Sequence, residues 1–408
     1  MPGPLDGIRI LDLTVNVMGP FASLQLADMG ADVWKVEAPG GDAIRTVGPV
    51  RNRGMASNFL HLNRNKRSIV LDLKHTDGLA ALRRMIADAD VLMHSSRASA
   101  MDRLGLSYDA VAQLNPKIVY IGMFGFGQAG PYADRPAYDD LIQAASSMTV
   151  LQARRSGPPQ NVATPIADRV VGIAAAMAVS TALFERERSG RGQEVQVPMF
   201  ETFVQLLMGD HLGGLGFVPQ SGDWGYARAL DPGRHPYRTA DDGYVAVNMY
   251  NDKHWHAFFV ASGHPEMVTD ERYADVQARI KHQAELYRFL ELEFPTKTTQ
   301  EWMTLLVNKD IPVSEVNDPG TLVADPHLNA VEFFPIETHP TEGQVRSIGI
   351  PQTWSRTVPE IRLATPRLGE NTVELLTLAG FGSAEIEGLL ASGAAYAAPQ
   401  AESVEVWS

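Results

Sequence analysis

Residues 8–37 read IRILDLTVNVMGPFASLQLADMGADVWKVE. The stretch falls into three parts. "IRILDL" (8–13) and "DVWKVE" (32–37) are short apolar runs of strand length, and "FASLQLADMGA" (21–31) between them spaces its apolar residues by three and four, as an amphipathic helix does. Strand, helix, strand in so short a span calls for parallel strands joined by a crossover. The same alternation continues outward through "RSIVLDL" (67–73), "DGLAALRRMIADA" (77–89), "DVLMH" (90–94), "YDAVAQLN" (108–115) and "KIVYIGMF" (117–124). It predicts an α/β fold built on a doubly wound, mostly parallel sheet.

The texture changes at 213–236, "GGLGFVPQSGDWGYARALDPGRHP", which is rich in Gly and Pro and has no period. This reads as a linker or an active-site loop of unusual length. After it, "GYVAVNM" (243–249) and helices from 252 to 307 indicate a smaller α+β unit. "IPVSEVNDPG" (311–320) reads as a second loop, 331–393 as a hairpin plus a closing helix, and the terminal "AAYAAPQAESVEVWS" as a tail.

The chain has 408 residues, 45% hydrophobic and 20% charged, with a formal net charge of −13 and no cysteine. Disulfides, thiolate catalysis and Cys-ligated zinc or iron–sulfur sites are thereby excluded. The acidic balance argues against nucleic acid or an anionic membrane as partner, so any anionic ligand needs a local basic cluster. The N-terminal "MPGPLDGIRILDLT" lacks the basic start and apolar run of a signal peptide, and a cytoplasmic location is the expectation. The most apolar run, "VVGIAAAMAVSTALF" (170–184), spans about fifteen residues where a bilayer needs about twenty, and reads as a buried core helix.

Several motifs carry candidate chemistry. "GFGQAG" (125–130) has the form of a dinucleotide fingerprint, but Pro131 and Pro136 leave no room for the helix that must receive a pyrophosphate. His254 and His256 are two residues apart, on different faces of a helix, and no metal site is expected. Arg64, Lys66 and Arg67 precede one strand and Lys74 follows it, while Arg97 and Arg103 follow another. Lys74 and Arg97 therefore stand at carboxyl ends of strands, where open α/β sheets bind ligands; the alternative is a solvated basic face. Tyr138 and Asp139 open a helix, and the tyrosine either stacks on a base or staples the helix end. In "PIADRVVGIAAA" (165–176), Asp168 is either an N-cap or a reactive carboxylate held ionised by a helix N-terminus.

Taken in order, "PLDGIRILDLT", "GPFASLQLADMGADVWKVE", "NRNKRSIVLDLK", "GFGQAGP", "PIAD", "SGRGQEVQVPMFE", "RHPYRTADDGYVAV", "DPHL" and "LGENT" make the chain resemble the class III CoA-transferases. That family comprises formyl-CoA:oxalate and carnitine CoA-transferases and also α-methylacyl-CoA racemase. The resemblance implies a large Rossmann-like domain made from both chain ends, a small α+β domain between, and an interlocked homodimer. Boundaries follow as 1–215 for the first part of the large CoA-binding domain, 216–330 for linker and small domain, 331–395 for the return, and 396–408 for a C-terminal tail. It further implies Asp168 as nucleophile, with Val17 and Met18 against the CoA chain. Leu71, Asp72, Leu73, Lys74, Ser95, Ser96 and Arg97 would line the nucleotide, Arg103 would meet a phosphate, and Tyr138 would stack on adenine. Three positions depart from the family: Ala38 replaces an Arg after "VE", "GGLGF" (213–217) only echoes a glycine lid, and Asn371 replaces a His.

One scaffold serves two chemistries. Racemisation needs acid–base groups on both faces of the carbon α to the thioester, and the racemase branch resembles a His at position 138. A tyrosine there, with a reference pKa of about 10, is a poor base. The expectation is therefore a CoA-transferase working through an aspartyl anhydride and an aspartyl-CoA thioester. A racemase, or an acyl-CoA-binding relative without activity, is the alternative. Coenzyme A enters as substrate, with no tightly bound cofactor, and the second partner is a carboxylic acid. Arg228, Arg234 and Arg238 are candidates to orient that acid, and Trp224 and Tyr226 would wall the acyl pocket.

Overall fold

In the computed structural model, which describes residues 3–399, β1 (Arg9–Leu13) and β2 (Asp32–Glu37) lie parallel, Ile10 opposite Val33 and Leu11 opposite Trp34. The helix between them, α1 (Met18–Asp28), starts earlier than its apolar spacing suggests. Pro20 falls in its first turn, where a missing N–H leaves no bond unmade. Gly19 is required there, since a Cβ would lie 2.2 Å from the side chain of Thr14.

The chain continues through α2 (Ser57–Asn63), β3 (Lys66–Leu71), α3 (Thr76–Ile86), β4 (Val91–His94), α4 (Ala98–Leu104), α5 (Tyr108–Leu114) and β5 (Val119–Phe124). Then come α6 (Asp139–Ala145), α7 (Met148–Ser156), α8 (Ile166–Ser189), β6 (Gln193–Pro198) and α9 (Met199–His211). The seven-stranded sheet runs Ala395–Tyr396, β3, β2, β1, β4, β5, β6. All neighbours are parallel except the terminal strand, which pairs antiparallel with β3. Strand order reverses between β1 and β4, and the crevice outside their carboxyl ends is where such sheets bind ligands.

Two compact units make up the chain. One comprises residues up to Thr149, Asn161–Gly209 and Glu332 onward; the other takes Val150–Gln160 and Asp210–Val331. The segment 150–160 thus joins the smaller unit, which a cut at 215/216 does not anticipate. Within that unit Tyr237–Arg238, Tyr244–Val247 and Val313–Glu315 form an antiparallel sheet. The 311–320 stretch therefore supplies a strand where a loop was expected. Tyr237 stacks on Phe294 at 5.0 Å and Phe258 on Trp302 at 6.0 Å, which supplies a core of its own. Residues 213–236 are no extended linker. Gly214 N–H donates to the Asp223 carbonyl and Gly225 N–H to that of His211, folding the loop back on itself.

In the larger unit, Ile336–His339 and Gly343–Arg346 form the expected hairpin, but two helices close the fold, Thr372–Leu378 and Ser383–Ala391. The tail expected at 396–408 begins inside the strand Ala395–Tyr396, and residues 400–408 lie outside the described residues.

α8 corrects the reading of 170–184 as wholly buried. At 24 residues it is long and apolar enough, by length and composition, to cross a bilayer. Val171, Gly172, Ala175 and Val179 are buried, and α1 comes so close that a Cβ on Gly172 would lie 2.8 Å from the Met18 carbonyl. Ile173, Met177 and Phe184 on another face are more than half exposed.

The basic residues around β3 also differ from expectation. Those before or at its start form no solvated face, while Lys74 at its far end is exposed. Arg64 pairs with Asp28 at 2.8 Å, Lys66 with Asp12 at 3.4 Å, and Arg67 with Asp32 and Glu374.

Candidate active site

A cavity of about 250 Å³ opens at the point where strand order reverses. The turn after β1 (Val15 to Met18), the end of β4 (Ser95 to Arg97), the end of β5 (Met123 to Gly125), the 133–138 loop, Asp168 and Met199 line it. Short loops at three strand ends converge there because every strand of the set is parallel.

The β1–α1 turn is held from below by buried charge. Lys35 Nζ donates to the Thr14 carbonyl at 3.1 Å and to Asp42 Oδ2 at 2.9 Å, and Asp42 Oδ1 accepts the Asn16 N–H at 3.0 Å. Asp12 accepts from the Thr14 N–H and from Ser23 Oγ. This frame keeps Asn16 at φ 65, a left-handed conformation that asparagine tolerates, on the cavity wall. On the next strand His94 is buried, and burial lowers its pKa to about 4 against a weaker opposing pull from the Ser96 carbonyl. The neutral ring lies 3.2 Å by Nδ1 from that carbonyl, bracing the Ser95–Arg97 turn.

Asp168 is not an N-cap. Pro165 holds that position, and Asp168 is the third residue of α8. Its backbone N–H donates to Asp139 Oδ1 at 2.9 Å, and Gln143 Nε2 holds the other oxygen of Asp139 at 2.6 Å. The carboxylate that caps α8 therefore comes from α6. Burial, then the charge of Asp139, push the Asp168 pKa up to about 7, while Arg169 pulls it back. A helix N-terminus alone does not hold this group ionised: one of its N–H groups is already taken by another carboxylate. Asp168 stands poised between its two forms at neutral pH, in the cavity wall. Asp139→Asn removes the like charge and leaves the burial, so it is expected to move the acid limb of the pH–rate profile down by up to about one unit. An unmoved acid limb, measured as kcat/KM between pH 5 and 9, would show that Asp139 only caps the helix.

Of the residues expected at the site, the structure gathers Val17, Met18, Ser95, Ser96, Arg97, Tyr138 and Asp168 around one cavity. Tyr138, at the N-cap position of α6, is 68% exposed. Leu71, Asp72, Leu73, Lys74 and Arg103 line none of this cavity. Leu71 is fully buried, and Leu73, partly buried, packs against the same core. Asp72 Oδ1 accepts the Lys74 N–H at 2.9 Å, and Arg103, in the last turn of α4, is exposed. Asn371 is spent on β3, where its Oδ1 accepts the Ser68 N–H at 3.1 Å.

Trp224, Tyr226, Arg228, Arg234 and Arg238 belong to the smaller unit. There the Arg154 guanidinium lies 4.9 Å over Trp224, and the Tyr226 N–H donates to His211 Nδ1. Arg228 donates to Asn248 Oδ1 at 2.8 Å, the Arg234 carbonyl accepts from Arg155, and Arg238 pairs with Asp242. Reading the sequence missed Asn16, Asp139 and Arg135 as site residues. Asp139 was visible only as a helix start, since its partner lies 29 residues on.

Comparison with known proteins bears on this arrangement. The profile of CoA-transferase family III matches residues 5–372. An acyl-CoA transferase of Fusarium pseudograminearum is 32% identical over 403 residues, covering 94% of this chain and 86% of its own. A succinate–glutarate CoA-transferase of Agrobacterium fabrum is 31% identical over 383 residues, covering 91% and 95%. The crystal structure of a CaiB/BaiF family protein from Brucella suis superposes with a TM-score of 0.80 at 28% identity, over 93% of this chain and all of that one.

Proposed function

The chain belongs to CoA-transferase family III and moves CoA between acyl-CoA and carboxylates, and from that premise we propose that Asp168 is the group that carries the acyl and CoA intermediates. The observation that carries the proposal is the half-buried carboxylate in the wall of the cavity at the sheet's reversal point, with a pKa near 7.

The ionised oxygen of Asp168 attacks the thioester carbonyl carbon, the C–S bond breaks, and CoA leaves as thiolate, giving a mixed anhydride. The thiolate then attacks the aspartyl carbonyl of that anhydride and expels the donor acid as carboxylate, leaving an Asp168–CoA thioester. The acceptor carboxylate attacks that thioester, forms a second anhydride and releases the thiolate again. Attack of the thiolate on the acceptor's acyl carbon yields the new acyl-CoA and restores Asp168. No proton is gained or lost over the cycle, so the site needs no partner base. Desolvation suits the role, because a carboxylate stripped of water is a stronger nucleophile once ionised. Val17, Met18 and the Ser95–Arg97 turn would hold the pantetheine arm, and the open ring of Tyr138 suits an adenine. Incubation with an acyl-CoA followed by hydroxylamine or borohydride trapping and peptide mass spectrometry is expected to mark Asp168; an unmodified Asp168 in a turning-over enzyme would overturn the assignment.

The assembly we propose is an interlocked homodimer. Ile173, Met177 and Phe184 form one stripe on α8, exposed by 53%, 66% and 60%, and Leu206 on α9 adds to the exposed apolar surface. A second copy is the occupant, because the opposite face of α8 is already packed in the core, unlike a free membrane span. Met177→Glu is expected to convert a dimer to monomer in sedimentation velocity. A monomeric parent at micromolar concentration would sink this assembly.

A further inference from the structure

Two arginines, Arg97 and Arg135, line the same cavity as Asp168. The chain is acidic, with 48 carboxylate side chains against 35 Lys and Arg. Its arginines readily find acids: Arg45 with Glu37, Arg64 with Asp28, Arg186 with Asp90. Among the described residues neither cavity arginine pairs with a carboxylate, and of the two only Arg135 is stacked on a ring, that of Tyr132. The Arg135 guanidinium is nonetheless held in place. Its carbon lies 3.8 Å from the Tyr132 ring centroid, and its own N–H donates to the Tyr132 carbonyl at 2.9 Å. Tyr132 in turn sets its ring edge-on to Phe126 at 5.6 Å. A stacked guanidinium keeps its hydrogen-bonding edge free, so it is pre-oriented to take a planar or tetrahedral oxyanion bidentate at reduced entropic cost.

We propose that Arg135 is the residue that orients the substrate's free anionic group beside Asp168, and so sets which thioesters are used. This rests on the reading of Asp168 as nucleophile. Two sources present the required oxygens: the distal carboxylate of a dicarboxylic acyl group and a phosphate of the nucleotide. The chamber of about 250 Å³ is smaller than a whole acyl-CoA. Tyr138, assigned above to the adenine, lines the same chamber as Asp168, so the substrate series below decides between the two sources.

Steady-state kinetics of Arg135→Gln and Arg135→Lys, with succinyl-CoA, butyryl-CoA and the two matching pantetheine thioesters, tests this. Arg135 is exposed, so its replacement leaves the core untouched. KM for the anionic substrate is expected to rise about tenfold or more in Arg135→Gln with kcat little changed, and to recover in part in Arg135→Lys. A loss confined to the succinyl thioesters, and kept with succinyl-pantetheine, identifies the carboxylate. A loss equal for both CoA thioesters, and absent from both pantetheine thioesters, identifies the phosphate. KM values within about threefold of the parent on all four substrates would overturn the proposal. Mass spectrometry of the parent enzyme separates this from the premise: an Asp168 adduct with unmoved KM values sinks Arg135 alone, and no adduct sinks the nucleophile.

Discussion

Replacing Asp168 with asparagine is expected to cut CoA transfer by about a thousandfold or more, since the carboxamide cannot form the anhydride on which both half-reactions depend. The substitution is nearly isosteric and keeps the backbone N–H that Asp139 accepts, so the cavity should survive and CoA should still bind, as calorimetry would report. The same variant carries a second expected result. Asp168 has a folded pKa of about 7 against 3.8 for a free side chain. A carboxyl raised in this way contributes stability that is fully present below pH 3.8 and is lost as pH rises through 7. At about 1.4 kcal/mol per pH unit, the ionised group opposes folding at pH 8 by up to about 4 kcal/mol. Asp168→Asn should therefore unfold at a higher urea concentration than the parent at pH 8, with no such advantage at pH 4. Exchange at the parent's rate would end the case for Asp168, and lower stability at pH 8 would contradict the pKa argument.

Asp12→Ala is expected to cost about 3–5 kcal/mol at pH 6, the range for a buried ion pair that loses one partner. Asp12 is fully buried at the end of β1, bonded to Ser23 and Thr14, with Lys66 at 3.4 Å. Burial would raise its pKa, but Lys66, Lys35 and the two hydroxyls outweigh that and hold it ionised. Burial drags Lys66 down to about 7 even with Asp12 beside it. Without Asp12 the lysine sheds its proton, so the loss should shrink by pH 9. Because Asp12 also anchors the Thr14 end of the cavity wall, KM for acyl-CoA should rise at pH values where the fold persists. Urea midpoints at the two pH values check this, and a loss under about 1 kcal/mol at pH 6 would mean the network is not what holds the turn.

Much of the large domain was legible because its signals are local. Apolar runs of strand length alternate with three-and-four spacing from residue 8 to 124, and the strands appear within a few residues of those limits. Asp168 was legible too, as a lone carboxylate opening a long apolar helix. The environment of that carboxylate was not. Its pKa depends on Asp139, 29 residues away on another helix, and no periodicity encodes that approach. The basic residues before β3 misled for the same reason: Lys66 reads as a surface charge until Asp12, 54 residues earlier, is found beside it. Arg135 was passed over because its neighbours in sequence, Asp134 and Pro136, hide that it lines the same cavity as Asp168.

By itself, then, the order of residues determined the parallel sheet, the crossover helices and the one carboxylate at the mouth of the long helix, since backbone periodicity and apolar spacing act over a few residues. Tertiary structure alone decided which strand ends meet, which charges neutralise one another and which are left facing the cavity. Those outcomes are set by Coulomb interaction and desolvation between groups that are neighbours only once the chain has folded.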